Sequence, residues 1–114
     1  MKKVLIIDDD HEIHLAMREA VQDQCEMFSA FSGEKGLLLF LQHKPDLVFL
    51  DVQLRSVLEG NHVLLFLKKA FPDVPVYVMS GMAHLKNEML QLGADRFIEK
   101  PFNLLEVGNL LASM

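Results

Sequence analysis

The chain has 114 residues, of which 51% are hydrophobic and 24% charged, enough for one domain with a real hydrophobic core. Eleven basic against sixteen acidic residues leave a net charge of −5, and no five-residue basic run occurs, which argues against direct nucleic-acid binding. A single cysteine, Cys25, excludes an internal disulfide or a multi-cysteine metal site, and the apolar run behind Lys2-Lys3 stops after four residues, too short for secretion or a membrane span. The expected compartment is the cytosol, with no membrane partner.

Val4-Leu5-Ile6-Ile7 is a compact apolar run with three β-branched residues, the pattern of a strand buried on both faces of a parallel sheet. Asp8-Asp9-Asp10 follows with nothing between the acids. Two like charges ~5 Å apart repel by roughly 3 kcal/mol at an effective dielectric near 20, so such a cluster needs open water or a cation. Asp10 suits the N-cap of the next helix, which leaves Asp8 and Asp9 as solvated loop charge or as ligands of a hard cation.

Ile13, Ala16, Met17, Ala20 and Val21 then recur at helical spacing, with His14, Arg18 and Glu19 on the opposite side, in a helix running to about Gln24. A strand is expected over 25–31. Ser32 is the expected N-cap of a second helix that ends near Lys44-Pro45. Asp46-Leu47-Val48-Phe49-Leu50-Asp51 is another apolar run closed by an aspartate, followed by a loop over 52–59. A third helix spans His62 to Ala70, a fourth strand Val74 to Met79, and a fourth helix runs from about Ala83 to Leu92 with Gly93 as its C-cap. A last strand covers Arg96 to Glu99, and a final helix begins at Asn103, with Gly108 expected to fray its end. Strands alternating with helices over short connections specify one α/β domain, a doubly wound five-stranded parallel sheet with helices on both faces.

In such a sheet the C-terminal ends of the strands share one edge, where ligands bind. The first polar residues at those ends are Asp8 and Asp9, Asp51, Ser80 and Lys100. Carboxylates can hold Mg²⁺, which keeps several waters, and a carboxylate can attack phosphorus to form an aspartyl phosphate. A lysine and a hydroxyl can meet the remaining phosphoryl oxygens.

In Asp8-Asp9, Asp51, Ser80-Gly81 and Lys100-Pro101-Phe102, taken in this order at these strand ends, the chain resembles the receiver domains of two-component response regulators, over the whole of residues 1–114. That resemblance implies the strand order 2-1-3-4-5 of flavodoxin-like folds and the following roles. Asp51 accepts a phosphoryl group from the phosphohistidine of a histidine kinase or phosphotransfer protein. Asp9 and Asp51 bind Mg²⁺ directly, Asp8 through water, and the backbone carbonyl of Gln53 completes the protein ligands. Lys100 pairs with a phosphoryl oxygen, Ser80 donates to another, and Phe97 is the aromatic partner of Ser80 in the switch. Without a hydroxyl, Phe97 can follow Ser80 only through packing. Lys100-Pro101 matches a cis peptide. The resemblance further implies a phosphoacceptor that catalyses only its own phosphorylation and dephosphorylation. An output domain or downstream protein is expected at the face of the fourth helix, fifth strand and fifth helix, near His84, Lys86 and Phe97, with a homodimer forming on phosphorylation. Whether the receiver stands alone or an output domain has been cut away is left open.

The chain departs from the family pattern after Asp51, where Arg55 replaces a proline and the stretch to Gly60 reads as one residue longer than the pattern. This bears on the placement of the third helix and motivates an alternative, a receiver-fold interaction module not phosphorylated in use. A haloacid-type phosphatase wants a second aspartate two residues beyond its nucleophile, whereas Asp51 is followed by Val52-Gln53. His11 and His14, at i and i+3, have a spacing that can bind a transition metal but read as an exposed helical face. His43, His62 and His84 are isolated, and Cys25 reads as a small packed residue. The five-residue apolar runs Leu37 to Leu41 and Val63 to Leu67 read as wide buried helix faces with one or two stray exposed leucines.

Overall fold

Apolar runs too long for one face of a sheet must be covered on both, and the computed structural model, which describes residues 1–21, 23–54 and 59–114, covers them in this way. Strands β1 (Lys2–Ile7), β2 (Cys25–Ala30), β3 (Leu47–Asp51), β4 (Val76–Ser80) and β5 (Arg96–Glu99) are all parallel, in the order β2-β1-β3-β4-β5. Successive residues point to opposite faces, so β1 feeds two cores. Leu5 and Ile7 pack with Phe40, Leu64 and Leu67 from the helices α2 (Gly33–His43) and α3 (Gly60–Ala70). Val4 and Ile6 pack with Met17 and Val21 of α1 (His11–Val21) and with Val107 and Leu111 of α5 (Leu104–Ala112). The doubly wound α/β arrangement expected from the sequence is the one observed.

Helix ends follow their capping chemistry. Ser32 Oγ accepts from the Lys35 amide at 3.1 Å, as expected of an N-cap. Gly93 closes the fourth helical segment at φ +112°, a backbone region that glycine enters without a side-chain clash. That segment is shorter than expected. A 3-10 turn over Ala83–Leu85 precedes α4 (Lys86–Gln91), because the Met82 N-cap offers no side-chain hydrogen bond and the first turn tightens instead. The last helix runs through Gly108 to Ala112 with no break in its ladder, packed along α1.

The face that α1 buries differs from the sequence expectation. His14, Met17, Ala20 and Val21 are buried, Ile13 and Ala16 are half-buried, and Leu15 is exposed. His14, read as part of an exposed face, is only 4% exposed because its ring hydrogen-bonds to the Asp8 carbonyl. α1 stops at Val21, whose carbonyl accepts the Gln24 amide in a closing turn. The two apolar runs are more exposed than the one or two stray leucines expected. Phe40, Val63, Leu64 and Leu67 are buried, while Leu38, Leu41, Leu65 and Phe66 remain exposed.

Arg55 and most of the lengthened stretch after Asp51 lie outside the described residues. Leu54 is buried in the core beside α3, and α3 begins at Gly60, directly on the backbone that leaves Asp51. A Cβ at Gly60 would stand 2.5 Å from the Asp51 carbonyl oxygen and would overlap the Val52 backbone. At Gly81 it would meet nothing within 4 Å. Gly60→Ala is therefore expected to destabilise the protein by roughly 1–3 kcal/mol, the usual cost of overpacking. Gly81→Ala should stay within about 0.5 kcal/mol of the parent. Urea unfolding of the two variants checks the pair, and equal midpoints would show that α3 has room to retreat.

Candidate functional site

β1 delivers Asp8 into a position with no solvent exposure, so its carboxylate must be satisfied by protein groups. The Asp8 amide donates to the Ala30 carbonyl at 3.0 Å, continuing the β1–β2 ladder by one residue. Asp8 Oδ1 accepts from the Asp10 amide at 2.9 Å, and Oδ2 accepts from Lys100 Nζ at 2.8 Å. Asp10 is the N-cap of α1, its Oδ1 accepting from the Glu12 amide at 2.9 Å. This accounts for one of the three consecutive aspartates as local structure, as the sequence suggested.

β3 ends in Asp51, which is 4% exposed. Its Oδ1 accepts from the Gln53 amide at 3.0 Å and stands 3.7 Å from Lys100 Nζ. Oxygen atoms of Asp8, Asp9 and Asp51 all lie within 4.8 Å of one another. Burial pushes the Asp51 carboxyl from 3.8 up to about 6, with the charge of Asp8 adding to the effect; the Gln53 amide and the Lys100 ammonium act in the opposite direction. A cavity of about 550 Å³ opens over this group, with Asp10, His11 and Gln53 on its walls. The donor set is all oxygen, the chemistry of a hard divalent cation. Lys100 offsets one of three carboxylate charges, which leaves room for two positive charges.

β4 ends in Ser80, wholly buried. Its Oγ accepts from the Met82 amide at 3.0 Å and donates to Gln53 Oε1 at 3.2 Å, so the hydroxyl faces the Gln53 side chain. The backbone carbonyl of Ser80 accepts the Lys100 amide at 2.8 Å, which ties the ends of β4 and β5 together. Lys100-Pro101 is cis, as expected. Phe97 lies opposite Val78 in the β4–β5 register, half-buried against the core on the α2–α4 side.

Asp8, Asp9, Asp51 and Lys100 thus converge as expected, with Gln53 joining them through its amide and Ser80 reaching the group through the Gln53 side chain. Sequence reasoning missed a second layer. His14 Nε2 lies 2.7 Å from the Asp8 carbonyl oxygen, and Phe31 packs between two histidines, with ring centroids 4.4 Å from His11 and 4.2 Å from His14. Burial holds the His14 imidazole below its usual value of 6.5. One signal could have found it. With Asp10 as N-cap, His14 is the fourth residue of the helix, a position that packs back on the entering chain.

The sequence profile described as response regulator receiver domain matches residues 4–112. The sensory transduction protein BceR of Halalkalibacterium halodurans is 34% identical over 106 residues, which are 90% of this chain and 45% of that protein. The nitrogen assimilation regulatory protein NtrX of Azorhizobium caulinodans is 33% identical over 104 residues, 88% of this chain and 23% of that protein. The chain thus spans about half, or less, of the length of these relatives. Among solved structures, the receiver domain of NtrX from Brucella abortus superposes with a TM-score of 0.87 at 32% identity, covering 96% of this chain and 94% of that one. With the strand order, the acidic strand ends and the lysine already in place, the profile and these relatives show that the chain belongs to the response regulator receiver domain family.

Proposed function

We propose that this receiver accepts a phosphoryl group on Asp51 from the phosphohistidine of a histidine kinase or phosphotransfer protein. The observation that carries the reading is the position of Lys100 Nζ, 2.8 Å from Asp8 and 3.7 Å from Asp51, at the one edge where strand ends meet. An Asp51 carboxylate oxygen attacks phosphorus while the P–N bond breaks. The bonding pair stays with the donor imidazole nitrogen, which takes up a proton, and the product is an aspartyl phosphate. Lys100 holds one phosphoryl oxygen, and the Ser80 hydroxyl turns from Gln53 to donate to another.

Asp9 and Asp51 would ligate Mg²⁺ directly, Asp8 through water and Gln53 through its backbone carbonyl. When bound, Mg²⁺ offsets charge on the carboxylates and on the transferred oxygens. What supports this assignment is the fit of the residues: three carboxylates with oxygens within 4.8 Å and, among the described residues, one ammonium beside them. The chain catalyses only its own phosphorylation and dephosphorylation. Ser80 and Phe97 form the switch, and the face of α4, β5 and α5, where Lys86 and Phe97 border a cavity of about 260 Å³, receives an output domain, a downstream protein or a second receiver. Cytoplasmic placement accords with the described residues, among which no helix is long and apolar enough to cross a membrane.

Incubation with Mg²⁺ and acetyl phosphate should add the mass of one phosphoryl group, and Asp51→Asn should abolish the gain. An undiminished gain in that variant moves the acceptor elsewhere. The raised Asp51 value fixes the sign of a pH effect. Folding favours the protonated form, so without metal Asp51 contributes stability below pH 3.8 that is lost as pH rises through about 6. Mg²⁺ competes for the deprotonated form. Calorimetric Mg²⁺ affinity should therefore fall as the solution is acidified through about pH 6, and an affinity flat across that range would contradict the assignment.

A further inference from the structure

We propose that His14 is a positioning residue for the acidic pair, holding the Asp8–Asp9 peptide so that the Asp9 carboxylate faces Asp51. The inference rests on the reading of Asp8, Asp9 and Asp51 as a Mg²⁺ site. A carbonyl oxygen only accepts, so the 2.7 Å contact with Asp8 requires the proton on His14 Nε2. The peptide unit is planar, and a hold on the Asp8 oxygen therefore also sets the direction in which the Asp9 Cα leaves. The Asp8 side chain is already fixed by the Asp10 amide and Lys100. The Asp8 amide is fixed by Ala30. The carbonyl is the remaining polar group of this residue, and His14 restrains it.

The ring is itself held. Phe31, the residue after β2, packs against His14 at 4.2 Å and stacks on His11 at 4.4 Å between ring centroids, so the imidazole has little freedom to rotate off the carbonyl. His14 Nδ1 is buried and has no hydrogen-bond partner among the described residues. An apolar ring in the same place would leave no such atom unpaired, so shape alone does not account for an imidazole here. What the imidazole adds is the Nε2 donor. This arrangement is the protein counterpart of outer partners that orient metal-binding side chains, whose removal typically costs 10–100-fold in metal affinity.

Three variants separate the donor from the ring. His14→Phe keeps a ring against Phe31 and removes the donor. His14→Gln places an amide NH₂ near the Nε2 position, and His14→Asn places one near Nδ1. Calorimetric titration with Mg²⁺ should show a loss of about tenfold or more in His14→Phe and His14→Asn, with His14→Gln within a few-fold of the parent. Equal affinity in His14→Phe and the parent overturns the proposal, as does a His14→Gln as weak as His14→Phe, which would show that a donor near the Nε2 position does not restore the site. A measurement on the unaltered protein guards against variants that fail to fold. Long-range ¹⁵N–¹H correlations of the imidazole should show the Nε2–H tautomer, and an Nδ1–H tautomer overturns the contact. If the parent itself binds no Mg²⁺, the metal-site reading fails, while the tautomer still decides whether His14 holds Asp8.

Discussion

Like charges gathered where water is scarce set the terms for the rest of this structure. Asp8 is wholly buried, Asp51 nearly so, and their oxygens together with those of Asp9 lie within 4.8 Å. At that distance each carboxylate pair repels by roughly 3 kcal/mol if the effective dielectric is near 20. Lys100 is the counterweight, 2.8 Å from Asp8 and 3.7 Å from Asp51. Only a parallel sheet delivers the ends of β1, β3 and β5 to one edge, so the lysine at position 100 reaches an acid at position 8 through topology. The residual charge appears in the raised Asp51 carboxyl, which burial and Asp8 keep partly protonated at mildly acidic pH.

Local devices then hold the acids where the sheet brings them. The Asp10 amide holds Asp8 Oδ1 and the Gln53 amide holds Asp51 Oδ1, so each strand-ending aspartate is braced by the backbone two residues further on. Gly60 lets α3 begin against the chain that leaves Asp51. Lys100 is anchored by its amide to the Ser80 carbonyl, which fixes the start of its long side chain to the end of β4. Each device restrains a different group, and the amide hydrogen bonds offset the carboxylate charge only in part. The site is thus built stiff and left short of positive charge, a combination that suits a cation or a phosphoryl group arriving with one.

β1, β3 and β4 were legible because each ends as an apolar run that stops at a polar residue, and those residues, Asp8, Asp51 and Ser80, line the candidate site. Asp8, Asp51, Ser80 and Lys100 could be placed at one edge from topology alone. His14 could not, because helical periodicity sorts residues by polarity, and a histidine whose ring donates to a strand end is polar and buried together. Its burial rotates the inner face of α1 and leaves Leu15 in solvent, a shift that follows from one tertiary hydrogen bond. The fourth helix was overextended for a related reason. Ser80 Oγ accepts from the Met82 amide, and no side chain caps the turn over Ala83–Leu85.

Ser80 and Phe97 show how far the same geometry constrains a response to phosphorylation. In the structure the Ser80 hydroxyl donates to Gln53, and Phe97 packs half-buried against the core beside Val78. Phe97 has no polar atom with which to follow the hydroxyl. On the proposed reading, Ser80 turns toward a phosphoryl oxygen and frees Gln53, and the space that it leaves can be filled only by a neighbouring side chain. Interiors packed at crystal-like density do not keep such a gap, so the displacement of one hydroxyl becomes a change in ring packing next to β5. The coupling between acid site and α4–β5–α5 surface is then set by volume and not by hydrogen bonding. On the same reading, a hydroxyl on the Phe97 ring would alter the strength of that coupling without touching Asp51.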